Sequence, residues 1–297
     1  MASLPPGPFE PRLVRLRKRR AARGFRDAAF LHARVGADLA ERLEAIRRDF
    51  PRALALGGGG LFSHAVAQRP FLAARIGHLI EADIATGEVV LDPEHLPFAA
   101  ASFDLVVSPL MLHSVNDLPG ALVQIRRALK PDGLMLAALF GGETLNELRH
   151  SLIEAESELT GGAGPRVAPF ASLQDVAHLL QRAGFALPAA DRDRIVVRYG
   201  EPMRLLADLR AMGETAVLAQ RNPRALSRRM LARAFAVYRA RFADSDGRVR
   251  ATFEILNLTG WAPHESQQQP LQPGSAKARL ADALKTTEIS AGEKASS

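Results

Sequence analysis

Arg52-Ala53-Leu54-Ala55-Leu56-Gly57-Gly58-Gly59-Gly60-Leu61-Phe62-Ser63-His64-Ala65-Val66-Ala67-Gln68 joins a short apolar run, four glycines and a segment able to form a helix. A strand, a glycine loop and a helix in that order open an α/β sheet. Glycines at such a turn let backbone N–H groups approach an anionic or polar ligand at the helix start. The same four residues also read simply as a tight strand-to-helix connection. Gly57 and Gly59 satisfy G-x-G, but Phe62 stands where a dinucleotide fingerprint has its third glycine, and no G-K-[ST] follows for a phosphate loop.

Upstream, Leu31, Val35, Leu39, Leu43, Ile46 and Phe50 recur at helical spacing and lead into the first strand. Downstream, apolar runs at 78–84, 88–91, 103–108 and 134–139 read as strands, with a helix at 118–129 and a turn at Lys130-Pro131-Asp132-Gly133. Helices are expected at 145–158, 173–183, 202–212 and 224–242, and strands 194–198 and 252–258 form a late antiparallel pair. The fold class is therefore α/β, a doubly wound and mostly parallel sheet with that late pair and a helical insertion at about 201–245. Asp92 follows Asp83 by only nine positions, too few for an ordinary parallel crossover, so the edge-strand region is expected to be reduced.

Charge is uneven along the 297 residues. Eight basic residues and no acid lie between Arg12 and Arg26, and the other 31 basic residues face 32 acidic ones. Residues 1–26 thus read as a basic arm, 27–266 as the folded domain and 267–297, poor in apolar periodicity, as a flexible tail. The arm suits an acidic protein patch or anionic lipid better than nucleic acid, which would call for basic residues across a whole face. It is Arg-rich like a transit peptide but poor in Ser. No run approaches the roughly 20 apolar residues of a membrane span, and 34 Arg against 5 Lys suggests a bacterial coding bias; a cytoplasmic protein, peripheral to the inner membrane at most, is expected. With no cysteine, disulfides, thiolate metal sites and a cysteine nucleophile are excluded. The eight histidines show no H-x-x-x-H spacing, so no metal is expected, and G-x-S-x-G is absent.

Candidate site residues fall at the carboxyl ends of the strands, where open α/β sheets bind ligands. Asp83 ends the second strand and reads as a ribose acceptor or a loop acid, with Glu81 a poorer choice because it lies mid-strand. Asp92 opens D-P-E-H-L-P-F, a polar edge and apolar plug fit to flank an adenine, or is again a loop acid. After the fourth strand, His113 is a candidate general base, and Asn116 and Asp117 candidates to orient a substrate, although Asp117 two residues before Pro119 equally reads as a helix N-cap. After the fifth come Gly141, Gly142 and Glu143, the acid either binding a cationic group or lying in a first helical turn.

The segment 96–152, LPFAAASFDLVVSPLMLHSVNDLPGALVQIRRALKPDGLMLAALFGGETLNELRHSL, resembles the core of the methyltransferase-like assembly factors of respiratory complex I. These belong to the class I S-adenosylmethionine-dependent methyltransferase superfamily and are relatives of the biotin-synthesis carboxyl methyltransferases. The resemblance runs from the arm to ATFEILNLTGWAPHES at 251–266, and L-H-x-V-N-D-L-P, F-G-G-E-T-L-x-E-L-R and G-W-x-x-H-E-S are specific in combination. It implies S-adenosylmethionine as cofactor, held by Gly57, Gly58, Gly59, Gly60, Asp83 and Asp92, and a protein substrate, a complex I subunit on which members hydroxylate an arginine. A non-catalytic assembly chaperone and a small-molecule carboxyl methyltransferase are the alternatives. Three departures stand out: Ala55 replaces the acid of L-D-L-G-x-G-x-G, Leu61 its last glycine, and Ser114 the Trp of L-H-W-V-N-D-L-P.

Overall fold

The computed structural model describes residues 7–221, 226–268 and 286–287. The chain divides into a body, Met1–Pro263, and a C-terminal unit, His264–Ser297. The expected tail, with a weak helix at 276–284, lies almost wholly outside the described residues, as does part of the expected insertion, 222–225.

Helices α1 (Pro11–Ala21), α2 (Phe25–Ala28) and α3 (Phe30–Glu44) precede β1 (Phe50–Leu56), which α4 (Leu61–Ala67) and α5 (Pro70–Ala73) follow. Next come β2 (Ile76–Asp83), β3 (Val89–Val90), β4 (Phe103–Pro109), α6 (Leu118–Ala128) and β5 (Leu129–Phe140). Then α7 (Asn146–Thr160), α8 (Leu173–Arg182), β6 (Ala186–Tyr199), α9 (Pro202–Ala211), α10 (Arg228–Phe242) and β7 (Val249–Trp261) complete the body. The sheet runs β3-β2-β1-β4-β5-β7-β6, parallel except that β7 is antiparallel to both its neighbours. The order reverses between β1 and β4, the crevice where doubly wound sheets place ligands.

Alternation along the central strands sorts the core into two layers. Ala53, Ala55, Leu105, Val107, Leu134 and Leu136 pack toward α3, α4, α7 and α10, while Leu54, Leu56, Val106, Met135 and Ala137 pack toward α1, α6 and α8. Each fully buried leucine contributes roughly 1.5–3 kcal/mol, which makes both faces of these strands binding surfaces for helices. Ala55, where an acid was expected from the family pattern, is 3% exposed in the first layer.

β2 and β3 are parallel yet joined by only residues 84–88, with no crossover helix. The loop doubles back through Gly87 at φ 101°, and Glu88 N–H and Leu91 N–H donate to Glu81 and Asp83 C=O. The sequence Lys130-Pro131-Asp132-Gly133 does not stand outside the sheet as expected. It is an irregularity inside β5, where the pairing jumps from Phe103–Leu129 to Leu105–Leu134 and Asp132 takes φ 61°. The arm, expected to contribute little to the core, is part of it: Phe9, Val14 and Ala21 are buried, and Phe9 pairs as an antiparallel bridge with Leu218.

Candidate functional site

Two cavities open at the carboxyl edge of the sheet. The larger, about 530 Å³, lies over the glycine loop and is lined by Gly57, Gly58, Gly59, Gly60, Asp83 and Asp92, together with Glu81, Met111 and arm residues Lys18, Phe25 and Arg26. The four glycines have φ between 56° and 85°, left-handed values that L side chains rarely adopt. A Cβ at Gly57 would lie 2.7 Å from Cβ of Met111, and one at Gly60 would lie 2.6 Å from Arg26 Nη2 and 3.0 Å from Glu81 Oε2. The loop is therefore bare because its neighbours leave no room for side chains. Burial pushes the Asp83 carboxyl up, against the opposing Lys18 charge and a backbone bond from Ala85 N–H at 3.0 Å. Asp92 accepts from Glu94 N–H at 3.0 Å and forms a short bridge with His95.

Glu81, set aside in the sequence as mid-strand, lines this cavity beside Gly60, with Ser63 Oγ donating to its carboxylate. Alternation explains it: Glu81 and Asp83 are two residues apart on one strand and project to one side of the sheet. Loop backbone lining the cavity, acids at the end of β2 and apolar Ile84, Leu110 and Met111 fit a nucleoside with a charged tail, so the donor set suits S-adenosylmethionine.

The smaller cavity, about 270 Å³, is lined by His113, Leu148, Phe170, Leu209 and Glu214, among others. Val14, Lys18 and Ser114 line both cavities, so one wall separates them. Glu214 Oε1 pairs with Lys18 Nζ at 2.5 Å and Glu214 Oε2 with His113 Nε2 at 3.1 Å. His32 Nε2 lies 3.2 Å from Oε1, off the line of a good hydrogen bond. The side chains of Lys18, His32, His113 and Glu214 are 15%, 1%, 3% and 11% exposed. Burial opposes ionisation of Glu214, but the Lys18 charge and the two imidazoles outweigh it and hold the carboxyl well below the usual range. Burial pushes His32 down to about 4. His113 packs at a tilt against Phe140, 4.6 Å between ring centroids, and its Nδ1 is buried without a hydrogen-bond partner. Glu214 carries no sequence signal: it is a single acid after α9, and its ammonium partner lies 196 residues away.

The remaining expected site residues line neither cavity. Asn116 clasps Phe9, accepting from its N–H at 2.8 Å and donating to its C=O at 3.2 Å. Asp117 is exposed and caps α6, accepting from Gly120 N–H at 2.8 Å. Gly141 is buried against the Glu254 carboxylate, Gly142 accepts from Arg149, and exposed Glu143 takes a bond from Asn146 while its N–H donates to Glu254.

The sheet order, the glycine loop after β1 and the cleft at the reversal point define a methyltransferase fold of class I. A methyltransferase-domain model matches residues 65–137. A putative methyltransferase structure from Bacillus halodurans superposes with a TM-score of 0.51 at 16% identity, covering 77% of this chain and 99% of that one. The mouse mitochondrial arginine-hydroxylase NDUFAF5 is 42% identical over 96% of this chain and 86% of its own length. The malonyl-[acyl-carrier protein] O-methyltransferase of Halorhodospira halophila is 33% identical over 91% of this chain and 94% of its own. The chain belongs to the arginine-hydroxylase NDUFAF5 family within the methyltransferase-fold proteins.

Proposed function

We propose that the chain binds S-adenosylmethionine over the glycine loop and modifies an arginine side chain of a respiratory complex I subunit during assembly of that complex. The observation that carries this is the shared wall. A small molecule on Gly57–Gly60 and a side chain entering the smaller cavity would meet across Val14, Lys18 and Ser114. When bound, the cofactor supplies a sulfonium with a transferable methyl group. Asp83 and Glu81 are placed to accept from ribose hydroxyls, Asp92 closes the adenine side, and the loop amides take the polar tail. His113, with one nitrogen on Glu214 and the other unpartnered, is the group placed to accept or hold a proton on the substrate side. Asn116 and Asp117 serve from outside both cavities, tying down the arm and α6, and Gly141, Gly142 and Glu143 do the same for β7.

The exposed arginines of α1, Arg12, Arg15, Arg19 and Arg20, face outward as the surface for the acidic partner or for anionic lipid. Among the described residues no helix is long and apolar enough to cross a membrane. Cytoplasmic placement, at most peripheral to the inner membrane, belongs to the same proposal. Calorimetric titration with S-adenosylmethionine and its demethylated product tests the cofactor, and complementation of a deletion strain tests the role in complex I. Binding weakened by about tenfold in Asp83→Asn, with complex I lost in the deletion and restored by the wild type, is expected. If neither compound binds while complex I still depends on the protein, the non-catalytic assembly reading replaces this one.

A further inference from the structure

The smaller cavity is walled by Leu145, Leu148, Phe170, Leu206 and Leu209, and its volume of about 270 Å³ suits one long side chain rather than a whole metabolite. Glu214 is the sole carboxylate in its lining among the described residues. Besides Lys18, the lining holds two cations, Arg166 and Arg210. Arg166, however, is already paired with Glu156 at 2.5 Å, and Arg210 is exposed at the rim. The inner end therefore presents one buried, ionised carboxylate whose counter-charge is a single ammonium.

We propose that this cavity is a guanidinium receptor, in which Glu214 takes the arginine side chain of the partner protein and Lys18 is a resident cation that the guanidinium displaces. The proposal rests on the arginine-modifying function above and names its receiving residue. Three features support it. A buried carboxylate must keep a cation, so a free protein of this design carries a substitute until the substrate arrives. Lys18 comes from α1, on the arm, and lines the larger cavity too, where its charge already bears on Asp83; displacement moves the ammonium toward other acids instead of stranding it. A guanidinium also exceeds an ammonium as a ligand here, because its planar fork can engage a carboxylate through two parallel bonds. His113, bonded to the far oxygen of the same carboxylate, then lies next to the bound side chain.

The test is calorimetric titration of the full-length protein, without S-adenosylmethionine, using N-acetyl-arginine amide, N-acetyl-lysine amide, acetate and a neutral peptide bearing one central arginine. Expected are binding of both arginine probes in preference to the lysine probe, a gain of about tenfold in Lys18→Met and Lys18→Gln, and loss in Glu214→Gln. Opposite effects of the two sites separate a receptor from a purely structural pair, whose loss would weaken binding from either side. The proposal is overturned if acetate binds instead, if Glu214→Gln leaves arginine binding unchanged, if no variant binds arginine, or if both Lys18 variants lose their cooperative unfolding transition. Because the cofactor is left out, failure to bind S-adenosylmethionine leaves a positive result standing. Cofactor binding without arginine binding removes this receptor alone.

Discussion

Within the buried cluster, His32 couples stability to acid through its burial. Its imidazole would take a proton near 6.5 in the unfolded chain but only at about 4 in the folded one, where Lys18 and His113 add to the effect of burial and Glu214 opposes it. Its contribution to stability is therefore fully present above about pH 6.5 and is lost as pH falls toward 4, because the unfolded state then binds the extra proton. Glu214, whose carboxyl is depressed, loses its contribution at still lower pH. The thermal midpoint is expected to fall across this window by several degrees, on the order of 1–3 kcal/mol, and His32→Gln to flatten the fall. Parallel pH curves for the two proteins would assign the loss to another group. At this scale the sequence showed only part of the candidate site. Gly57–Gly60, Asp83, Asp92 and His113 are visible because each follows a strand-like run, whereas Glu214 and His32 become neighbours only through tertiary packing.

Element by element, pairing and capping explain what the motifs do. The segment around Asn116 holds the arm while Asp117 starts α6. Asn116→Ala removes both bonds to Phe9 and is expected to cost about 1–3 kcal/mol, while Asp117→Asn, which caps about as well, should move the melting temperature little. Equal shifts in the two melting curves would contradict this division of labour. Similarly, F-G-G-E-T wraps β7: Thr144 Oγ1 donates to Glu254 C=O at 3.1 Å, and the Glu254 carboxylate receives Glu143 N–H at 3.0 Å. β6 shows why strand lengths were less legible than strand existence. The sequence suggested residues 194–198, but the strand runs Ala186–Tyr199. Residues 186–194 bury no side chain fully because β6 lies at the sheet edge, and Asp191 there pairs bidentately with Arg42 of α3 at 2.7 Å. Charges along an exposed edge also discourage pairing with another chain.

For the whole molecule, the arm changes most between sequence and structure. Its charge density suggested a solvated appendage, yet Phe9 and Val14 enter one core layer, Phe25 covers Gly59 and Lys18 neutralises Glu214. Charged residues on one helix face hide the few apolar ones on the other, and only contacts distant in sequence show which face is buried. Deleting Met1–Arg23 leaves a buried carboxylate without its cation, so a loss on the order of 3–5 kcal/mol is expected, read as a large drop in the midpoint of urea unfolding. An unchanged midpoint would return the arm to the status of an appendage.

The bond between arm and insertion has a consequence in time. The Lys18–Glu214 pair spans 196 residues, and Phe9 meets Leu218 across a similar length. At about 5–20 residues per second, roughly 10–40 s of synthesis pass between the ribosome's release of the ammonium and that of its carboxylate. During that interval the basic helix lacks its ion-pair partner and its bridge to Leu218, and the wall between the two cavities is incomplete. A nascent chain therefore acquires neither cavity in finished form until synthesis is well past α9, which leaves the most basic stretch of the protein free to engage whatever acidic surface is nearby while the rest is still being made.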